Sequence, residues 1–339
     1  MKEISLLVDY RGTFYSSTTN AFSLCSMNIP RLIKSFAEQG IKANVLHFPD
    51  IEFRKDWTGK VILCQSSEDH ELRYRSYIED MILGLSLAGA HLLPSFHFLR
   101  AHHNKVFMEI LRQISRIADA NTLDTQMFGT FEDFAKVGSL NYPVVLKPGS
   151  GAGSAGVQLV KGSRQAKKSV KSVSWSGDYL WTTKEIIKRL IRKNYQPYSL
   201  YRRKFIIQEF IPNLTYDYKV LVYGNRVFVV RREVRENDFR ASGSGKLNWP
   251  KEVSEQLLNF VWGLFEAFDV PHASFDIAET GAAYHLIEAQ FVDFGPATLE
   301  RSEHHWLRNA TGWDRVEGRA ELERTFVEGV VRYMDTKGW

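Results

Sequence analysis

Along the first hundred positions the apolar residues change rhythm repeatedly. Short apolar runs at 4–8, 43–48, 60–65 and 91–93 predict strands. Between them the spacing lengthens to that of a helix at 29–39, where Pro30 suits a first turn and Gly40 a stop, and at 74–88, where Ile78, Met81, Ile82, Leu85 and Leu87 form one stripe. This β-α-β rhythm predicts a small, mainly parallel open sheet. Further on, helical spacing returns at 104–118, a loop with Asn121 and Asp124 follows, and a short amphipathic helix lies at 131–137. The stretch 142–160 reads as two strands around a loop of small residues, and 161–204 changes character, with a Ser-rich piece at 169–176 and a helix at 183–192. Strand rhythm resumes at 205–208, 219–223 and 226–231, the last two joined by Gly224-Asn225, which has hairpin-turn chemistry. A helix at 251–268, a hairpin of 273–278 and 284–290 across Thr280-Gly281, and a helix at 319–334 complete the pattern. The expected class is α/β to α+β, in three segments: 1–98, 99–204 and 205–339.

Composition adds limits. The 339 residues are 44% apolar and 24% charged, as in ordinary globular chains, and suffice for two or three cores. A net charge of +5 is too mild to imply nucleic acid. The basic character concentrates in 161–204, which holds thirteen Lys and Arg against Asp178 and Glu185. That segment reads either as a solvated surface or as one that favours an acidic substrate. Cys25 and Cys64 lack metal or redox spacing and read as buried free thiols of a reducing compartment. The first apolar stretch stops at Asp9 and the run 81–94 is too short for a bilayer, so a cytoplasmic chain without membrane insertion is expected.

The chemistry begins in YPVVLKPGSGAGSAGVQLV at 142–160. Lys147 closes an apolar strand, and Gly151, Gly153 and Ser154 belong to a loop whose backbone N–H groups can approach a phosphate chain. The lysine precedes the loop and no helix pattern follows, unlike G-x-x-x-x-G-K-[ST]. At 205–212 an apolar strand ends in Glu209, Phe210 and Ile211 before Pro212: either an adenine seat or an ordinary strand end. Asp217 and Lys219 offer a carboxylate and an amine to a ribose or phosphate, or form a surface ion pair. Arg231-Arg232 and Asp238-Phe239-Arg240 lead into a Gly-rich piece at 243–245, which fits either a gripped anionic substrate or a solvated basic hairpin. Asp276 can face Glu288 and Gln290 across a hairpin, and these are hard oxygen ligands suited to Mg2+ bridging ATP phosphates.

In this order the motifs resemble the ATP-grasp superfamily, in the branch of ribosomal-protein glutamate ligase, glutathione synthetase and D-alanine–D-alanine ligase. The resemblance runs over 100–297 and loosely over the whole chain. It implies a small N-terminal α/β domain followed by two α+β subdomains that enclose ATP. It also implies phosphate-binding roles for Lys105 and Lys147, an adenine-binding strand at Gln208-Glu209-Phe210-Ile211, a D-x-R-like element at Asp217 to Lys219, and metal-binding acids at Asp276 and Glu288. Arg232 and Arg240 match arginines that hold the transferred phosphoryl group and acyl substrate. Gln290 stands where the family has Asn, Ser242 likewise, Lys219 replaces Arg, and Phe294-Gly295-Pro296 replaces an N-P-G-like turn. Most such enzymes join a carboxylate to an amine through an acylphosphate, with a small molecule, peptide or glycan precursor as acid. Two other outcomes of the same resemblance are a kinase acting on a hydroxyl and a catalytically silent ATP-binding module. The N-terminal segment is expected to supply one wall of the acceptor site, with Arg11, Ser67, Glu68 and His70 near strand ends. A homodimer is the default assembly.

Overall fold

The computed structural model describes residues 2–20, 23–66, 72–115, 117, 120, 122–151, 155–236, 238–281 and 283–339, with the backbone alone for 16–20 and 23–25. The first unit runs β1 (Lys2–Val8), β2 (Ser16–Asn20), β3 (Ser23–Ser26), α1 (Ile29–Glu38), β4 (Ile41–His47), β5 (Val61–Leu63), α2 (Arg75–Leu87) and β6 (His91–Leu93). Its sheet has the order β4-β1-β5-β6 and every neighbouring pair is parallel, as the alternating rhythm predicts. β2 and β3 form a separate antiparallel hairpin that the sequence reading did not include. Asn28 caps α1 by accepting from the Arg31 N–H at 3.0 Å, and Leu32 and Phe36 are its buried stripe. Cys64 is a buried free thiol; the Cys25 side chain lies outside the described residues.

α3 (Phe96–Ala101) and α4 (Lys105–Ile114) lead to the second sheet, built from β7 (Thr125–Phe128), β8 (Val144–Pro148), β9 (Gln158–Val160) and β10 (Phe205–Glu209), with α5 (Phe131–Ala135), α6 (Ser163–Ser174) and α7 (Tyr179–Ile191) among them. Its order is β7-β10-β8-β9, all antiparallel. Strand β10 therefore pairs within the second sheet, and the division at 204/205 does not follow the sheets. Helix α6 occupies the stretch that reads as Ser-rich. It buries Ala166, Ser169, Val170 and Ser174, small side chains that let it lie close to the sheet while giving little apolar signal.

The third sheet comprises β11 (Tyr216–Tyr223), β12 (Arg226–Glu233), β13 (Leu247–Asn248), β14 (His272–Thr280), β15 (Ala283–Gln290), β16 (His304–Arg308) and β17 (Trp313–Glu317), accompanied by α8 (Glu255–Phe268), α9 (Ala297–Glu300) and α10 (Leu322–Lys337). Its path is β15-β14-β11-β12-β16-β17 and every pair is antiparallel. Both hairpins expected from the sequence are present. Helix α8 starts at Glu255, later than expected, because Ser254 caps it through the Leu257 N–H at 3.1 Å. β16 and β17, rich in His, Trp and Arg, gave no strand rhythm.

Each face of the third sheet has its own core. Val220, Val222, Val227 and Val229 pack on Leu258, Val261 and Leu264 of α8. On the opposite face Leu221, Tyr223 and Phe228 join Phe326 and Val330 of α10 and the apolar residues of β1 and α1. The last helix thus shares a core with the first sheet, and the Asn28 N–H donates to Glu323 at 2.8 Å across that seam. The approach of α10 needs glycine on both sides. A Cβ on Gly329 would lie 2.9 Å from the Gly224 nitrogen and 3.2 Å from the Pro271 carbonyl, and Gly224 itself turns the hairpin at φ +57°. Among the described residues no helix is long and apolar enough to cross a membrane.

Two expectations follow. Gly329→Ala forces backbone apart in a packed seam and should lower stability by about 1–3 kcal/mol, read as a shift of the urea midpoint; an unchanged midpoint contradicts the close approach. His272 on β14 is buried against Tyr15, Tyr223 and Phe326, and burial pushes its pKa down to about 3. The unfolded imidazole binds a proton near pH 6.5 and the folded one only near pH 3, so stability is lost as pH falls through that window. The melting temperature of His272→Gln should vary less between those limits than that of the wild type; equal slopes contradict it.

Candidate functional site

Period-two alternation splits the strands of the second and third sheets into apolar and polar faces. In β8, Val144 and Leu146 enter the core under α5 and α6, so Val145 and Lys147 must point the other way. In β10, Phe205 and Ile207 join the same core, which turns Gln208 toward Lys147; Lys147 Nζ donates to Gln208 Oε1 at 2.6 Å. On the third sheet, the face that carries Leu221 and Tyr223 at one end carries Asp217 and Lys219 at the other. Cross-strand register then aligns Lys219 with Asp276 and Asp276 with Glu288. A bulge follows Asp276 in the β14–β15 pair, and Ile287 and Glu288 both line the cavity beside it.

These faces enclose a cavity of about 520 Å3. Lys105, Lys147, Gly151, Gln208, Glu209, Phe210, Ile211, Asp217, Lys219, Arg232, Arg240, Asp276, Glu288 and Gln290 line it, Arg231 does not, and Gly153 and Ser154 lie outside the described residues. One wall holds Lys105 and Lys147. Asn104 caps α4 by accepting from the Phe107 N–H at 3.3 Å, which puts Lys105 in the first turn. Lys105 Nζ donates to the Gly151 carbonyl at 2.8 Å and lies 3.5 Å from Glu288, so it ties the glycine loop to the opposite hairpin. Lys147 is buried, and burial pulls its pKa down against the opposing attraction of Glu288 and Glu109.

The other wall holds an arginine between two acids. Arg232 donates to both oxygens of Asp217, at 2.7 and 2.8 Å, and its Nη2 is also 2.8 Å from Asp276. Burial lifts Asp217 to about 6 against the pull of Arg232. Burial works against Asp276 too, yet Arg232 and then Lys219, 3.7 Å away, hold it below the ordinary carboxylate range. Asp217 thus lines the cavity while paired with Arg232, in an ion pair that is buried and not at the surface. Arg240 is gripped by Asp238 at 2.7 Å and approaches the Val157 carbonyl. Glu209 sits exposed at the rim, where its N–H donates to the Asp124 carbonyl and its carboxylate accepts the Asp124 N–H. Val145, Phe210, Leu214 and Ile287 supply apolar wall nearby.

The first unit closes the cavity with the carboxyl ends of its strands. Arg11 lines it, as expected; Ser67, Glu68 and His70 lie outside the described residues, as does Asn121. The sequence reading missed Asp9, which ends β1 and accepts the N–H groups of Arg11 and Thr13, both at 2.9 Å, as well as Arg11 Nε at 2.8 Å. Although burial opposes it, those bonds hold its pKa below the usual range. It also missed Tyr15, Gln65 and His102-His103. An acid closing an apolar strand was the one available signal for Asp9. Behind the lysine wall, Arg112 donates to Thr125 Oγ1 at 2.7 Å, and Thr125 accepts from Gln208 at 3.3 Å, which fixes the amide that holds Lys147.

Among the described residues no three His, Cys, Asp or Glu side chains converge as a metal cluster. The donor set at the hairpin is instead two carboxylates, directly opposed across β14 and β15, with the amide of Gln290 beside them. All are hard oxygen donors open to the cavity, the set that suits Mg2+.

No family model and no curated protein matches the sequence. Solved structures do match in fold. The D-cycloserine synthetase DcsG is 12% identical, with 97% of this chain and 98% of that chain covered and a TM-score of 0.55. The VanG D-Ala:D-Ser ligase from Enterococcus faecalis is 12% identical over 98% and 99%, at 0.55. The ATP-grasp ligase PsnB, complexed with its minimal precursor, is 11% identical over 98% and 99%, at 0.51.

The arginine clamp yields a stability test. Arg232→Met leaves two buried carboxylates without their cation and should cost about 3–5 kcal/mol by urea unfolding, whereas Arg240→Met, whose pair lies nearer solvent, should cost about 1 kcal/mol or less. Equal losses contradict the clamp.

Proposed function

We propose that this chain, which has the ATP-grasp fold, is an ATP-dependent ligase that joins a carboxylate to an amine. The observation that carries the reading is Lys105 and Lys147 facing Asp276 and Glu288 across one cavity. Its volume falls in the ordinary range for a ligand pocket. A triphosphate needs fixed positive charge on one side and metal-binding oxygens on the other, and both line this cavity.

In this reading Lys105 and Lys147 hold the phosphate chain, with the amides of the glycine loop. The burial of Lys147 makes its charge effective, because little water competes for it. The base lies against Val145, Phe210 and Ile287. Asp276, Glu288 and the Gln290 amide hold Mg2+, which when bound neutralises charge on the phosphate oxygens. An oxygen of the substrate carboxylate attacks the terminal phosphorus, and the bond from that phosphorus to the ADP oxygen breaks. The acylphosphate so formed is then attacked by the amine at its acyl carbon. The carbon–oxygen bond to phosphate breaks, phosphate leaves with the electron pair, and the amine proton is released. Arg240 faces the charge that grows on the transferring group, and Arg232 acts by orienting Asp276. Positioning and charge neutralisation supply most of the acceleration in such transfers.

The test is ADP release over a panel of carboxylates with hydroxylamine as the acceptor. An acylphosphate is trapped as a hydroxamate; ADP release that yields a phosphate ester and no hydroxamate contradicts a ligase. Lys147→Ala and Glu288→Ala should each lower ADP formation about 100-fold, the effect of roughly 3 kcal/mol of lost electrostatic stabilisation. Near-wild-type turnover in either variant removes that residue from the assignment.

A further inference from the structure

Helix α7 is built inside out. Its register puts Tyr179, Leu180, Ile186, Ile187, Leu190 and Ile191 on a single arc of about 140°. An arc of that kind normally faces the core. Here it faces solvent: Leu180 is 80% exposed, Leu190 79%, Ile191 76% and Tyr179 74%. None of the six belongs to any of the three hydrophobic cores. The polar side is turned inward instead. Glu185 is buried and accepts from the Tyr195 hydroxyl at 2.6 Å and the Tyr198 N–H at 3.1 Å, while Arg202 stacks on Trp181 at 4.1 Å. Asp178 is spent on capping the helix through the Trp181 N–H at 2.8 Å. A helix held by its polar face, with its apolar face outward, is a ridge awaiting a cover.

The charge around the ridge identifies the cover. Lys184, Lys188, Arg189, Arg192 and Lys193 border or follow the apolar arc, and the two acids of the segment 161–204 are the inward Glu185 and the capping Asp178. A second copy of this chain would press one basic rim against another. A helical peptide would have to bring an apolar stripe flanked by acids of matching spacing, whereas an anionic lipid surface offers both at once. We infer that α7 is an interfacial helix that lays its apolar ridge into an anionic lipid surface, with the basic rim on the headgroups. At 13 residues it is about 20 Å long. That is too short to span a bilayer and long enough to lie in its surface. The exposed Tyr179 and Tyr198 add the aromatic character of a membrane–water boundary. Because α7 lies between β9 and β10, docking would set the strand–loop–strand wall of the cavity beside the membrane.

The experiment uses the full chain and sedimented vesicles. Vesicles of equal parts phosphatidylcholine and phosphatidylglycerol should carry the protein down, with binding about tenfold or more weaker to pure phosphatidylcholine, and with raised salt loosening it. The double variant Leu180→Asp with Leu190→Asp should lose the binding while its circular dichroism and ATP turnover match the wild type, since both side chains are exposed. Lys184→Glu with Arg189→Glu, both exposed, should lose it as well. No sedimentation with either vesicle overturns the inference, as does undiminished binding by the Leu variant. So does a wild-type dimer, split by the Leu variant, in a protein that ignores vesicles, or capture by polyglutamate in place of lipid.

Discussion

A lysine buried in the face of a sheet has to be answered by negative charge. Lys147 is that group here. Its neighbours Val144 and Leu146 are fixed in the core under α5 and α6, so strand geometry leaves the ammonium only the cavity to point into. Gln208 holds it with an uncharged oxygen, which satisfies a donor without cancelling the charge. The nearest answering charges come from Glu288 and Asp276 on another sheet and Glu109 behind. The rest of the molecule follows from keeping those two sheets face to face. Helix α10 ties the third sheet to the first unit, and Lys105 bridges the glycine loop and the hairpin.

The third sheet solves the reciprocal problem of keeping acids ionised in a buried place. Asp217 and Asp276 share one guanidinium, and the outcome is unequal: Asp217 is lifted to about 6 while Asp276 is held low. Asp217 takes two hydrogen bonds from Arg232, and Asp276, which faces Glu288 across the hairpin, takes one and has Lys219 as a second cation 3.7 Å away. Arg232 and Asp217 both line the cavity, and there they are bonded to each other, with Arg232 reaching Asp276 as well.

The legible parts of this chain were those with short-range periodicity. The parallel strands, the strand–loop–strand at Lys147 and the hairpin with Asp276 and Glu288 all announce themselves by apolar alternation interrupted by one polar residue. Features set by long-range register were not legible. Counting out from the Gly224-Asn225 turn sets Asp217 opposite Arg232, but that Arg232 also reaches Asp276 depends on β14 lying beside β11, which no local pattern shows. Helix α6 hid behind serines because its buried side needs small residues, and β16–β17 because its His and Trp residues do not alternate. Helix α7 was legible as a helix over 183–192, and the structure starts it one turn earlier, at Tyr179, where Asp178 caps it. The pairing of β10 was hidden as well: it adjoins in sequence the strands that follow it and bonds with β7 and β8, which precede it.

The most direct measurement is a crystal structure with a non-hydrolysable ATP analogue and Mg2+. The account requires the phosphate chain between the ammonium groups of Lys105 and Lys147 and the carboxylates of Asp276 and Glu288, with metal on the two acids. An analogue bound elsewhere, or one bound in the cavity while Glu288 and Asp276 keep their Lys105 and Arg232 partners and take no metal, would contradict it.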